Sequence, residues 1–282
     1  MADDDYQVPE VWTYETPEVD HKFAATNLPT AGARFEKDLP RGKHPFQLYS
    51  LGTPNGQKVT ITFEALLAAG RSGAEYDAWL IDIMELEQFG SGFVSVNPNS
   101  KIPALLDCSG EEPFRVFESG AILLHLAEKF GAFIPSGGAA RAECLSWLSW
   151  QLGSAPYIGG GFGHFYRYAP MRFKYAIDRF SLETKRLFDV ADQRLAEAEW
   201  FAGDEYTIAD MAIFGWFHYF VDNDAYQGGT RFLGIRDYEN VVRWNDAMMA
   251  RMPVRRGIKV NLSDEGKVKE RHSAADIDAV MR

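Results

Sequence analysis

An α/β domain followed by an all-helical domain is the fold class this sequence predicts. Residues 46–83 read as strand, helix and strand, the spacing of a parallel βαβ unit. Residues 97–119 place an Ile102-Pro103 bond before two short apolar strands and a helix opening at Glu118-Ser119. Beyond residue 138 the apolar spacing is that of long helices, with no strand between them.

Taken in order, residues 1–44 form a polar extension carrying Pro9, Pro17, Pro29 and Pro40. Its aromatic residues Trp12, Tyr14 and Phe23 predict that part of it packs on the body. The α/β domain is expected over 45–134, with strands at 46–51 and 75–83 and a helix at 57–69 between them. Gly52 to Gly56 has the composition of a turn. A helix over 119–130 completes the domain, and Ile134 to Gly138 is a linker by composition. The helical domain is expected over 140–262, with helices at 142–152, 173–195, 208–220 and 238–251, the last stopped by Pro253. Thr207 and Asp210 have the spacing of a capping box, and the helix they open is apolar nearly all round, hence central. A charged tail, mobile at its end, is expected over 263–282.

The chain has 282 residues, 46% hydrophobic, and a formal net charge of -11. The acidic balance argues against nucleic acid and anionic membrane as partners. No segment approaches the ~18 apolar residues of a membrane span, and the acidic start is not a signal peptide. The two cysteines, Cys108 and Cys144, lie far apart and outside any CxxC, so a reducing, cytoplasmic location is expected. Six histidines without metal-ligand spacing predict no metal. A helix start suits an anion, because its unpaired N–H groups lie at the positive end of the dipole. An anionic ligand in so acidic a chain requires a locally positive site.

The order IPAL, then FESGAILLHLAEKF, then the helix opened by TIAD resembles the cytosolic glutathione transferases. LGTPNGQKVTI, YDAWLIDI, GFVSVNPNSKIPAL, GGGFGHFYRYAP and FAGDEYTIADMAI are similar to the bacterial nu class, the YghU-like disulfide-bond reductases. The resemblance spans nearly the whole chain and implies a thioredoxin-like N-terminal domain with an all-α C-terminal domain, and a homodimer. It implies glutathione as co-substrate, with two molecules, or one glutathione disulfide, per active site. No nucleotide is implied, and GGGFGHFY is not a dinucleotide fingerprint.

In this superfamily the turn after the first strand carries a thiol-activating Tyr, Ser or Cys, and between Gly52 and Val59 this chain has none. Thr53 and Asn55, flanking Pro54, are therefore the implied catalytic pair, stabilising the glutathione thiolate by hydrogen bonds. The resemblance gives Ser119 the γ-glutamyl α-carboxylate and Glu118 its α-ammonium. The backbone of Ile102, exposed by Pro103, would pair with the cysteinyl part, and Lys101 is a candidate for the glycyl carboxylate. Asn27, Gln88, Gln151 and Arg179 match further glutathione contacts. The family pattern has Gln after Trp-x-x-Trp-Leu, whereas here the order is Trp150-Gln151-Leu152, which turns the amide ~100° round a helix. Phe165, Tyr166 and Tyr168 are candidates for the second-substrate pocket, and the glycines before them let helices approach closely. By residue pattern alone, TPN is a plain turn, Lys101 is equally a solvated lysine and the aromatics equally core, and Glu118-Ser119 would be an ordinary N-cap pair but for the proline turn before it.

The function so implied is glutathione-dependent disulfide reduction without a protein cysteine nucleophile. Conjugation of electrophiles or reduction of organic peroxides on the same fold is the first alternative. The second is a non-catalytic glutathione-binding regulator, as among the fungal relatives, although the chain lacks their Asn/Gln-rich arm.

Overall fold

The computed structural model describes residues 7–15, 26 and 28–281. Strands β1 (Phe46–Ser50), β2 (Tyr76–Leu80), β3 (Ala104–Asp107) and β4 (Phe114–Phe117) form one sheet in the order β2-β1-β3-β4. β1 and β2 run parallel, with Phe46 opposite Tyr76, while β3 is antiparallel to both β1 and β4. All five residues of β1 are buried, because the sheet is covered on both faces. Phe46, Leu48, Tyr76 and Leu105 join a core with helices α1 (Pro54–Ala68) and α3 (Ser119–Phe130). Tyr49, Ala104 and Leu106 face Phe93 and Val96 of a short helix α2 (Ser91–Val96), which the sequence pattern did not reveal.

α1 begins at Pro54, three residues before the periodicity suggested. Proline is favoured at the first helical position, where its missing N–H is not needed and its φ is already helical. Gly56 is required by packing: a Cβ there would stand 1.9 Å from the Leu51 carbonyl oxygen. The TPNG segment thus reads as a turn but folds as the first turn of a helix.

The second half comprises α4 (Gly138–Pro156), which runs into a π-helical segment (Tyr157–Tyr168), then α5 (Lys174–Glu197) and α6 (Ile208–Val221). Next come α7 (Ala225–Leu233), α8 (Glu239–Ala250) and α9 (Met252–Gly257). The capping box of Thr207 and Asp210 is formed. Buried Asp210 also accepts from Phe201 N and Trp244 Nε1, both at 3.0 Å, and burial pushes its pKa up to about 6 against these bonds.

The chain's ends add detail to the expected pattern. The helix expected over 238–251 ends at Ala250 ahead of Pro253, as α8, but it is not the last: Pro253 sits in the first turn of α9. Within the charged tail, the segment around Arg271 pairs with the free edge of β2, with Ala78 N donating to Arg271 O at 2.8 Å, before helix α10 (Ala274–Asp278). Trp12 is 64% exposed, and among the described residues its ring pairs with Tyr14; Phe23 lies outside the described residues. The part of the extension nearer the sheet does pack. Arg34 N donates to Phe89 O at 2.8 Å with its guanidinium over the Phe89 ring, Leu39 joins the Tyr49 cluster, and Pro40 O accepts from the Tyr49 hydroxyl.

Arg271 is fully buried between two carboxylates and hydrogen-bonds through Nη1, while its Nε and Nη2 have no hydrogen-bond partner among the described residues. It lies 3.3 Å from Glu64 and 2.9 Å from Glu75, donates to Tyr76 O and covers the Tyr76 ring. Removing one partner of a buried ion pair leaves the other uncompensated. Arg271→Ala is expected to lower the unfolding free energy by about 3 kcal/mol, measured as a shift in denaturant midpoint at unchanged slope.

Candidate functional site

The carboxyl end of β1, the start of β3 and the start of α3 converge, as the sheet order requires. Thr53 caps α1 with extended backbone and no side-chain capping bond. The first N–H groups of α1 therefore lack a side-chain acceptor from their cap. Thr53 Oγ1 makes only a long 3.5 Å contact to Leu51 O. Asn55 accepts from Trp216 Nε1 at 2.9 Å. With its oxygen occupied, the Asn55 amide is left with its NH₂ to donate.

Trp216 belongs to α6, so the helical half orients the amide of the α/β half. Two close approaches make this possible. A Cβ on Gly215 would lie 2.2 Å from the Pro54 carbonyl oxygen, and one on Gly159, in the π-helical segment, 2.5 Å from the Trp216 ring. Gly161 and Gly163 abut Phe180 and Tyr226 in the same manner, so this glycine run serves close packing, as its composition suggested.

The Ile102-Pro103 bond is cis. Lys101 is exposed, and its carbonyl accepts from Asn97 Nδ2 at 2.6 Å. Glu118 holds φ at +70°, an uncommon value for a non-glycine residue. Such strain clusters at ligand clamps. Its carboxylate accepts from Asn99 Nδ2 at 3.2 Å, and the next residue, Ser119, is the buried first residue of α3.

The residue that sequence reasoning missed is Lys58. It is 0% exposed, donates to Gln151 Oε1 at 2.6 Å and to Ser119 Oγ at 3.3 Å, and burial pushes its pKa down to about 7 while Glu118 opposes the shift. A lysine in an apolar stretch is most often solvated, so only its place in the TPNGQKV motif could have flagged it. Gln151 is correspondingly 2% exposed and turned onto Lys58.

The remaining candidates divide. Gln88 is 4% exposed, and its Oε1 is buried without a hydrogen-bond partner among the described residues; the packed segment 34–37 runs beside it. Arg179 stands half-exposed on α5 beside Glu183 at 3.8 Å, and no described hydrogen bond or ion pair joins it to the Thr53–Ser119 group. Asn27 lies outside the described residues. Phe165 stacks on Phe180, and Tyr166 lies against Phe162 and Phe232, so both rings are engaged in packing. Tyr168, with Arg167, Tyr219, Tyr226 and Gln227, lines a cavity of about 320 Å³. Tyr226 and Gln227 hold φ near +57° and +59° in its wall.

Burial raises the thiol pKa of both Cys108 and Cys144, and neither belongs to this group. Among the described residues no cluster of metal-ligating side chains forms, and no helix is long and apolar enough to cross a membrane.

Comparison with known proteins gives concordant results. Residues 47–128 match the glutathione S-transferase N-terminal domain, and residues 164–252 its C-terminal domain. The chain is 54% identical over 281 residues to the disulfide-bond oxidoreductase YghU of Escherichia coli (strain K12), covering 99% of this chain and 97% of that protein. A glutathione transferase YghU from Streptococcus pneumoniae, solved in complex with glutathione, superposes with a TM-score of 0.88 at 54% identity, covering 90% of this chain and 97% of the other. A Pseudomonas putida glutathione transferase, solved with one glutathione disulfide per subunit, gives 0.71 at 36% identity over 78% of this chain and 93% of the other.

Gly159→Ala would drive a methyl group into the Trp216 ring. The expected result is a loss of about 1–3 kcal/mol of stability with altered tryptophan fluorescence; an unchanged denaturant midpoint would refute the contact.

Proposed function

The chain belongs to the glutathione S-transferase family, and we propose that it works there as a glutathione-dependent disulfide-bond reductase. The observation that carries the reading is the start of α1. It presents Thr53, an Asn55 amide held with its NH₂ free to donate, and a helix N-terminus, but no thiol or phenol. Such a site can stabilise a thiolate but cannot supply one, so the reacting sulfur comes from glutathione. The relatives named for disulfide oxidoreduction and solved with glutathione or its disulfide support the same reading.

Free thiols have pKa ≈ 8.5. Lowering that by one unit takes about 1.4 kcal/mol of preference for the anion, within reach of one or two charge-assisted hydrogen bonds. The first thiolate attacks one sulfur of the substrate disulfide, forming a mixed disulfide and releasing a substrate thiolate. A second glutathione thiolate attacks the glutathione sulfur of that mixed disulfide, giving glutathione disulfide and the second substrate thiolate. The two protons lost by glutathione end on the two substrate thiols.

In this reading Ser119 and the N–H groups of α3 hold the γ-glutamyl carboxylate, Glu118 the ammonium, the Ile102 backbone the cysteinyl unit, and Lys101 the glycyl carboxylate. Gln88 offers its unsatisfied oxygen to the same ligand. The second glutathione occupies the side of Arg179 and the Tyr168 cavity, and Asn27 is proposed as one of its contacts. Organic peroxides are candidate oxidants for the same thiolate. A homodimer in the cytoplasm completes the reading.

Thr53→Ala combined with Asn55→Ala is expected to lower kcat/KM for glutathione-dependent reduction of hydroxyethyl disulfide by about 10²-fold; unchanged turnover overturns the assignment. Cys108→Ala with Cys144→Ala should leave that rate within about twofold, since neither thiol is in the reacting group. Calorimetric titration with glutathione is expected to count two molecules per chain, and a count of one would remove the paired-thiol route.

A further inference from the structure

A buried ammonium normally finds a carboxylate. Arg271 does so, with Glu64 and Glu75. Lys58 does not: among the described residues no carboxylate lies within ion-pair distance of it, and its two hydrogen bonds go to neutral oxygens. Of the charged groups on the elements around α1, Glu118 is the one that acts on it. Arg256 of α9 is engaged by Glu64 at 2.6 Å, and Gln151 of α4 and Met211 of α6 are neutral. The ammonium therefore sits beneath the N-terminus of α3 with no carboxylate in contact among the described residues, Glu118 acting on it only from a distance. Its bond to Ser119 occupies an acceptor position of that hydroxyl and leaves the hydroxyl proton to be donated outward.

Resting on the glutathione reading above, we propose that Lys58 is a positioning residue and buried countercharge for the γ-glutamyl α-carboxylate, acting through Ser119, so that ligand binding draws a proton onto the protein. Without an anion, burial favours the neutral amine. An anion held one residue away favours the ammonium, and by linkage the ammonium form binds the anion more tightly. With a pKa of about 7 in the free protein, binding that holds the lysine fully charged takes up about 0.75 proton at pH 7.5 and about 0.1 at pH 6. Affinity for the ligand accordingly falls as pH rises through 7.

The test is calorimetry of the full chain with S-methylglutathione, which has no titrating thiol, in buffers of different ionisation enthalpy. The slope of observed enthalpy against buffer enthalpy counts protons. The expected result is an uptake that grows from pH 6 to pH 7.5 as given. Lys58→Arg, always charged, should bind with that uptake lost, and any proton taken by the ligand's own amine persists there and subtracts out. Lys58→Met should bind about 10- to 100-fold more weakly, also without uptake. Binding with uptake below about 0.1 proton at both pH values, or uptake unchanged in Lys58→Arg, overturns the role of Lys58 alone. Should either variant fail to fold, the pH series on the native chain still decides. Failure of S-methylglutathione to bind overturns the glutathione reading itself, and this inference with it.

Discussion

The site depends on one backbone contact that leaves no room for a side chain. Where α6 crosses the start of α1, only glycine at 215 lets the chain pass the Pro54 carbonyl. That approach brings Trp216 to Asn55. It makes α6, the most apolar helix of the second half, the scaffold on which the first turn of α1 is oriented. The capping box and the Asp210–Trp244 bond hold α6 from its other end. Interiors this dense transmit displacements instead of absorbing them, so the geometry around Thr53 and Asn55 is set jointly by both halves of the molecule.

Charge is handled in two opposite ways along α1. Glu64, on its last turns, is surrounded by Arg256, Arg271 and the Tyr76 hydroxyl. That cluster ties α1 to β2, α9 and the returning tail, and each of its cations meets a carboxylate. Lys58, less than two turns away, is equally buried but meets only an amide and a hydroxyl. In a chain of net charge -11, these local positives, together with two helix N-termini, resolve how an acidic protein can present an anion site. The first cluster is structural because its charges cancel, and Lys58 is poised because no carboxylate among the described residues contacts it.

Much of the site was legible because its motifs are local. The proline turn, the Glu118-Ser119 helix start and the Thr207/Asp210 cap each depend on residues within a few positions of one another, where spacing and chemistry speak directly. The elements that went unread lack such signals. α2 is short, α7 is kinked through left-handed residues at Tyr226 to Gly228, and the π-helical segment has no period of its own that the sequence announces. The tail's docking carries no local signal, because it rests on Arg271 finding carboxylates nearly two hundred residues away in the chain.

By itself the sequence determined the order of an α/β and a helical half, the positions of the turn, the cis-proline site and the α3 start, and the absence of a nucleophilic cysteine beside them. Those follow from composition, periodicity and local capping, which act over single turns and strands. Only the tertiary structure decided that Lys58 is buried with no carboxylate in contact among the described residues, that Gln151 faces it, that Trp216 orients Asn55 and that Phe165 and Tyr166 pack while Tyr168 lines a cavity. Each of these turns on burial and on partners remote in sequence. Whether a lysine is solvated or buried depends on what the rest of the chain places around it, which local pattern does not encode.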